Sequence, residues 1–268
     1  MRSLRQFWTP RRIGEDRVTL ARLGPLRLWL ARAEKEWGFA REQGDLSHIL
    51  DIAQVPEDVI PDRLEWTTIL FREAPREFRL QAVVPDRPLV VKPVHPVTFP
   101  AGECGVFYVF LPVFLELVFI AREREHVVAT IPANPLSDTW FGTAKEGEFC
   151  YSLPFPASRD LASAEIYPHH IVCPVEIENR SAENLVFEKL CLRPRHLSLY
   201  CGQRFLWSSR VEVSNEHRSK SSILRYPRGA PAQESGLILL SSPQEKPEKN
   251  LQLFSFGNSF RDDIQFAR

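Results

Sequence analysis

The segment "NPLSDTWFGTAKEGEFCYS" (residues 134–152) gathers a carboxylate at Asp138, hydroxyls at Ser137 and Thr139, and the adjacent rings of Trp140 and Phe141. Such a set serves either a ligand that stacks on an indole beside an acid, or a tight folding corner. The glycine in "AKEGE" predicts a three-residue hairpin loop, Lys145 to Gly147, with Gly147 at positive φ and strands 139–144 and 148–153 paired across it. That register sets Phe141 opposite Tyr151, Thr143 opposite Phe149 and Trp140 opposite Ser152. Phe141, Tyr151 and Phe149 then form a buried apolar face contributing several kcal/mol at about 25 cal/mol per Å², while Trp140 points the other way. Ser137 and Asp138 are expected to bond backbone N–H groups of the following turn, as short polar side chains do. The folding corner is the favoured reading. The alternative keeps Ser137, Asp138 and Trp140 as a binding site, with a sugar or peptide on the indole.

Histidines are the next carriers of chemistry. If 169–175 is a strand, His169 and Cys173 share a face about 13 Å apart, too far for one ion, and His169 and His170 point to opposite faces. A metal would need His95, His126, His196 or His217 to converge from elsewhere, so neither metal nor cofactor is expected. The text holds no GxSxG, no HExxH and no cysteine signature followed by a histidine. With 12 glycines and no glycine-rich run, it has neither a P-loop nor a dinucleotide fingerprint. Cys191 and Cys201 flank the turn-like "RPRH" as either a redox pair or, preferred here, two core thiols among aliphatic neighbours.

Composition bounds what these groups can serve. Thirty-four basic and 34 acidic residues with a pI of about 7.1 give no net field for a phosphate polymer, so nucleic acid is not an expected partner. The balance is uneven along the chain. Residues 1–41 carry ten Arg and Lys against four acids, and 42–62 carry six acids and no base. Two mutually attracting surfaces explain this better than a basic arm for an anionic partner, which lacks interleaved aromatics. The N-terminus has no apolar core of a secretory signal, and five cysteines without a CxxC pair suit reduced, buried thiols, so a cytoplasmic chain is expected. "GVFYVFLPVFLELVFI" (105–120) spans about 24 Å as a helix, short of a bilayer core of about 30 Å, and contains Pro112 and Glu116. It reads as core strands rather than a membrane span.

Twenty-two prolines chop the chain into short β-type runs, the pattern of sandwiches and barrels. "PLRLWLARAEKEWGFAR" (25–41) reads as a hairpin, with Leu26, Leu28 and Leu30 alternating along one strand. "DLSHILDIA" (45–53) is the best helix candidate, with Asp45 as its cap and Val55-Pro56 as its stop. "LEWTTILF" and "REFRLQAVV" are strand-like, and the run 104–120 breaks at Pro112, which has no N–H for a ladder. Residues 169–201 predict a three-stranded meander, in which Asn179-Arg180-Ser181 is a turn despite its glycan-acceptor spelling. "GLILL" and "LQLFSF" on either side of the polar 241–250 stretch suggest a last hairpin. A soft boundary near 157–167 divides β-rich halves 1–160 and 161–268, unless they form one continuous domain.

Three stretches, "LGPLRLWLARAEKEWGFAR", "NPLSDTWFGTAKEGEFCYSL" and "CPVEIENRSAENLVFEKLCLR", resemble an uncharacterised prokaryotic family, a domain of unknown function numbered four-three-two, over nearly the whole chain. The resemblance implies no assigned activity and no catalytic residue. The combined expectation is a mainly β protein, an antiparallel β-sandwich or sandwiches with few short helices, that binds a protein partner or a small ligand through loops and edge strands. Self-association through those edges belongs to the same reading. The alternative is a hydrolase or metal-dependent enzyme assembled from His95, His126, His170 and Asp138, and a third option is a structural subunit of a larger assembly.

Overall fold

The computed structural model describes residues 4–14, 17–121, 124–143, 145–155, 158–215, 221–246 and 251–254. Among them the chain is mainly β, with one four-residue α-helix, Leu4–Phe7, and two short 3₁₀ turns. No described helix is long and apolar enough to cross a membrane, and the apolar run 105–120 lies in two strands, Cys104–Pro112 and Phe114–Ala121, broken where the proline predicts.

The first sheet is an antiparallel array in the order Leu50–Val55, Arg17–Leu23, Leu26–Arg32, Glu36–Gln43, Thr67–Leu70. The predicted 25–41 hairpin is its centre, with Leu26, Leu28 and Leu30 buried. Residues 50–55 form an edge strand rather than the expected helix. On nine residues a helical stripe and a two-residue alternation overlap, and here the alternation wins: Ile52 turns inward while Asp51 points out to Arg22. Asp45 has no helix to cap, and Ser47 instead ties the segment to the turn before Leu26–Arg32, donating to the Gly24 carbonyl at 2.8 Å. The charge asymmetry resolves inside this sheet, where Arg22 pairs with Asp51 and Arg27 with Glu42.

The second sheet runs Arg11–Arg12, Glu77–Val83, Phe114–Ala121, Arg124–Pro132. Thus "LEWTTILF" and "REFRLQAVV" are both strands, as read, but belong to different sheets. Trp37 ties the two together: fully buried, it packs on Phe78 and Phe119 with ring centroids 5.6 and 4.4 Å away and donates Nε1–H to the Pro75 carbonyl.

The largest sheet is built on His170–Asn179. The strand Cys104–Pro112 pairs antiparallel along one edge for its whole length, while Leu206–Ser208 and Val211–Asn215 share the other edge in parallel. Pro174 lies in the gap between those two partners. Leu199–Cys201 and Ile238–Ser241 extend the sheet on one side, and Ser221–Arg225 and Leu251–Phe254 on the other. The last two runs therefore end at opposite borders instead of forming the expected hairpin.

A mixed sheet, Ser137–Gly142, Gly147–Phe155, Leu89–Pro93, Leu190–Leu192, and a ribbon of Val97–Phe99 with Leu185–Phe187 complete the fold. The expected meander over 169–201 is overturned. Its strands go to three different sheets, because His170–Asn179, Leu185–Phe187 and Leu190–Leu192 each pair with a strand far away in sequence, while Leu199–Cys201 pairs onward with Leu206–Ser208.

The strand His170–Asn179 ends in a buried polar hub. Asn179 is 0% exposed; its Nδ2 donates to the carbonyls of Phe99, Pro100 and Glu183, and its Oδ1 accepts from the Ser181 N–H and hydroxyl. The expected turn is present, and the amide nitrogen a glycan would need is engaged in holding it. Asn179→Ala is expected to cost about 2–4 kcal/mol, since it strands several buried carbonyls at once. Urea denaturation followed by tryptophan fluorescence checks this.

Candidate functional site

The hairpin at 137–155 is present with a register three residues from the expected one. Trp140 faces Phe149, Asp138 faces Tyr151, and Phe141 faces Glu148. The connection is Thr143–Glu146, and Gly142, at φ +118, takes the left-handed position assigned in advance to Gly147. An odd shift moves side chains between faces, so Trp140 shares its face with Phe149 and Tyr151, and Phe141 lies on the other. Trp140 closes the corner: its ring lies over Gly147, its Nε1–H donates to the Thr143 carbonyl at 2.9 Å, and it meets Phe149 edge to face at 5.1 Å. Ser137 and Asp138 are strand residues rather than turn caps, and Asp138 accepts from Arg87 at 3.3 Å. Phe149 remains 68% exposed.

A different group of residues converges more closely. The chain enters the His170–Asn179 strand through a turn at Pro168 and His169, closed by the His170 N–H on the Tyr167 carbonyl at 3.0 Å. Because His169 lies in that turn and not in the strand, its ring does not oppose that of His170, as strand alternation would demand. The centroids are 4.5 Å apart. Tyr167 stands over both at 5.5 Å, His48 stacks on Tyr167 at 4.4 Å, and Phe110 lies parallel to His170 at 5.9 Å. The backbone N–H of Tyr167 donates to Nδ1 of His170 at 3.4 Å, which leaves the ring proton on Nε2.

His169 is buried against Gly24, which is at φ +57 in the hairpin turn and whose missing Cβ would fall on the imidazole. Neither ring nitrogen of His169 has a hydrogen-bond partner among the described residues. Burial, reinforced by repulsion from the neighbouring His48, lowers its pKa from 6.5 to about 4. Burial first, and then the neighbouring His169 and His48, lower His170 to about 3. Both imidazoles are neutral at physiological pH.

His170 and Tyr167 line a cavity of about 590 Å³ bounded by Leu4, His48–Asp51, Ile166–Pro168 and Gln203–Leu206. Its wall is largely apolar, and Arg204 lies over the Phe205 ring at 5.0 Å. At the Tyr167 side, Glu165 receives the phenol and stands 3.6 Å from His48 Nε2, and this carboxylate raises the Tyr167 pKa. A larger groove of about 740 Å³, between Phe39–Glu42, Arg63–Thr67 and Ala129–Ile131, is dominated by ions already matched, since Glu42 is held by both Arg27 and Arg63. The His170 cavity combines apolar wall, polar groups and shifted titration, the combination that marks binding sites.

Of the histidines read as enzyme candidates, only His170 lines this cavity. His95 is exposed between Leu89–Pro93 and Val97–Phe99, His126 is exposed on the Arg124–Pro132 edge strand, and Asp138 stands on the hairpin. His196 is buried beside Tyr226, and His217 lies outside the described residues. Cys191 and Cys201 stand on different sheets, and Cys191 instead faces Cys150. His48 and Tyr167 escaped the sequence reading. The Tyr-Pro-His-His spelling was the available signal, since proline before the doubled histidine marks a turn.

The two lowered pKa values set an acid limit. Below pH 6.5 the unfolded chain takes up protons that His169 and His170 refuse, so stability is complete above that pH and falls as pH drops toward 4. A loss of about 2–5 kcal/mol is expected between about pH 7 and about pH 4.5, with His169→Gln and His170→Gln each flattening the slope. Urea midpoints across that range measure it, and identical midpoints would contradict the burial argument.

No curated protein and no solved structure matches the chain. A family profile does, over residues 7–260, and its description is "Protein of unknown function (DUF432)". The match takes in all five sheets and the residues of the His170 cavity from His48 onward, and by it this chain belongs to the DUF432 family of proteins of unknown function.

Proposed function

We propose that the protein is a non-catalytic binding protein whose cavity beside Tyr167 and His170 takes a small organic anion with a flat apolar body. The observation that carries this reading is Arg204: it is exposed and has no carboxylate partner among the described residues, yet it sits on Phe205 at the mouth of an apolar wall. A guanidinium in that setting favours a carboxylate or sulfonate whose hydrophobic body enters the cavity. His170 contributes a neutral ring with its proton on Nε2. Binding is favoured over turnover because a general base works best with a pKa near the working pH, and His170 lies far below it.

Naphthoate and its cationic counterpart, naphthylmethylamine, are the probes. Calorimetry is expected to detect the acid and not the amine, with affinity reduced about tenfold or more in Arg204→Glu and in Phe205→Ala. Equal binding of the two probes, or full affinity in Arg204→Glu, overturns the reading.

The exposure of Phe149 favours a second reading, a protein contact on the hairpin corner formed with Trp140, Asp138 and Ser137. Self-association through that corner predicts a concentration-dependent mass in sedimentation that Phe149→Ser abolishes. A monomer at all concentrations removes it.

A further inference from the structure

A second cluster lies in the mixed sheet, on the face opposite Trp140. Glu148 and Cys150 are two residues apart on Gly147–Phe155 and therefore project to the same side. Cys191, on Leu190–Leu192, joins them across the end of the intervening strand Leu89–Pro93, where Val90 is registered with both Ser152 and Cys191. One carboxylate oxygen and the two sulfurs all lie within 4.8 Å of one another. Both cysteines are buried, at 0% and 1% exposure, while the Glu148 side chain is 35% exposed and opens the cluster to solvent.

The surroundings set this trio apart from ordinary core thiols. Arg193 grips Glu148 with both terminal nitrogens, Nη1 at 3.0 Å from Oε2, and its own backbone N–H donates to the buried Tyr226 hydroxyl at 2.8 Å. A carboxylate has about four lone-pair sites, so a two-bond arginine contact leaves others open. Two thiolates, one carboxylate, one guanidinium and a divalent cation sum to zero charge, the balance a half-buried site requires. Thiolate ligands select zinc over magnesium or calcium. A Zn–S distance of about 2.3 Å places tetrahedral ligand atoms about 3.8 Å apart, within a side-chain adjustment of about 1 Å.

From this convergence we infer that Cys150, Cys191 and Glu148 form a zinc-class metal site, with Arg193 orienting the carboxylate from outside and a fourth position open on the Glu148 side. Loading exchanges the two thiol protons for the ion; the protons leave to solvent and no group is oxidised or reduced. Affinity therefore falls as pH is lowered. Three protein ligands and one open position match zinc sites that also admit water or a substrate atom.

Cobalt(II) reports the site directly, because thiolate ligation produces an intense charge-transfer band. Full-length protein stripped by chelator is titrated with cobalt and then with zinc. One equivalent of cobalt with a thiolate band, bleached by zinc, is the expected result. Cys191→Ser abolishes the band, Glu148→Gln weakens binding about tenfold or more, and Cys104→Ser, which removes the exposed thiol of another sheet, leaves it intact. Glu148 is partly exposed, so its variant tests the site where a core cysteine change alters folding, and circular dichroism confirms that each variant is folded. Absence of binding, cobalt bound without the band, a band undiminished in Cys191→Ser, or conversion of Cys150 and Cys191 to a disulfide without metal uptake overturns the inference.

Discussion

The strand His170–Asn179 is hydrogen-bonded on both edges and, from Ile171 to Val175, buried on both faces. Such a strand has no solvent to satisfy a stray polar group, so every polar atom it carries must be matched internally or accepted as a cost. Its two ends meet that constraint differently. At the Asn179 end, one side chain matches three carbonyls and two donors and locks the ribbon of Val97–Phe99 and Leu185–Phe187 to the large sheet. At the other end, His169 and His170 are kept neutral by the same burial. Cys173, between the two ends of the strand, has its pKa pushed up by burial to about 12 and is an inert thiol.

What the sequence made legible is what short-range physics decides. Leucines at every second position made the 25–41 hairpin readable, and a proline without an N–H placed the break between Cys104–Pro112 and Phe114–Ala121. The readings that failed turned on partner choice. Leu185–Phe187 and Leu190–Leu192 have the composition of neighbouring strands in a meander, yet pair with Val97–Phe99 and Leu89–Pro93 nearly a hundred residues upstream. Nothing within a few residues of either run encodes that distance. Residues 50–55 failed for a related reason, because the strand Arg17–Leu23 supplies a ladder that a nine-residue window does not see.

The sites follow the same division. The His169–His170 pair was visible as a spelling, but its geometry depends on whether the strand begins before or after Pro168, and a one-residue difference decides between opposed and touching rings. Cys150 and Cys191 were both read as core thiols. Their meeting requires the parallel pairing of Gly147–Phe155 with Leu89–Pro93, a crossover that local pattern does not reveal. Trp140 was weighed as a corner or a ligand platform, and its contacts with Gly147 and Thr143 give it a place in the corner, while its neighbour Phe149 carries most of the exposed ring surface.

Charge at the His170 cavity is fixed from behind. The His170 ring centroid lies 4.5 Å from that of His169, which has no hydrogen-bond partner among the described residues to share a charge, and His48 adds to the repulsion that a proton on His170 would meet. The His170 part of the wall therefore stays uncharged across the range in which an ordinary imidazole titrates, and the guanidinium that the proposed anion would meet is that of Arg204. At His169 and His170 the protons enter the unfolded chain in preference to the folded one, so lowering the pH erodes stability without adding charge to these two rings.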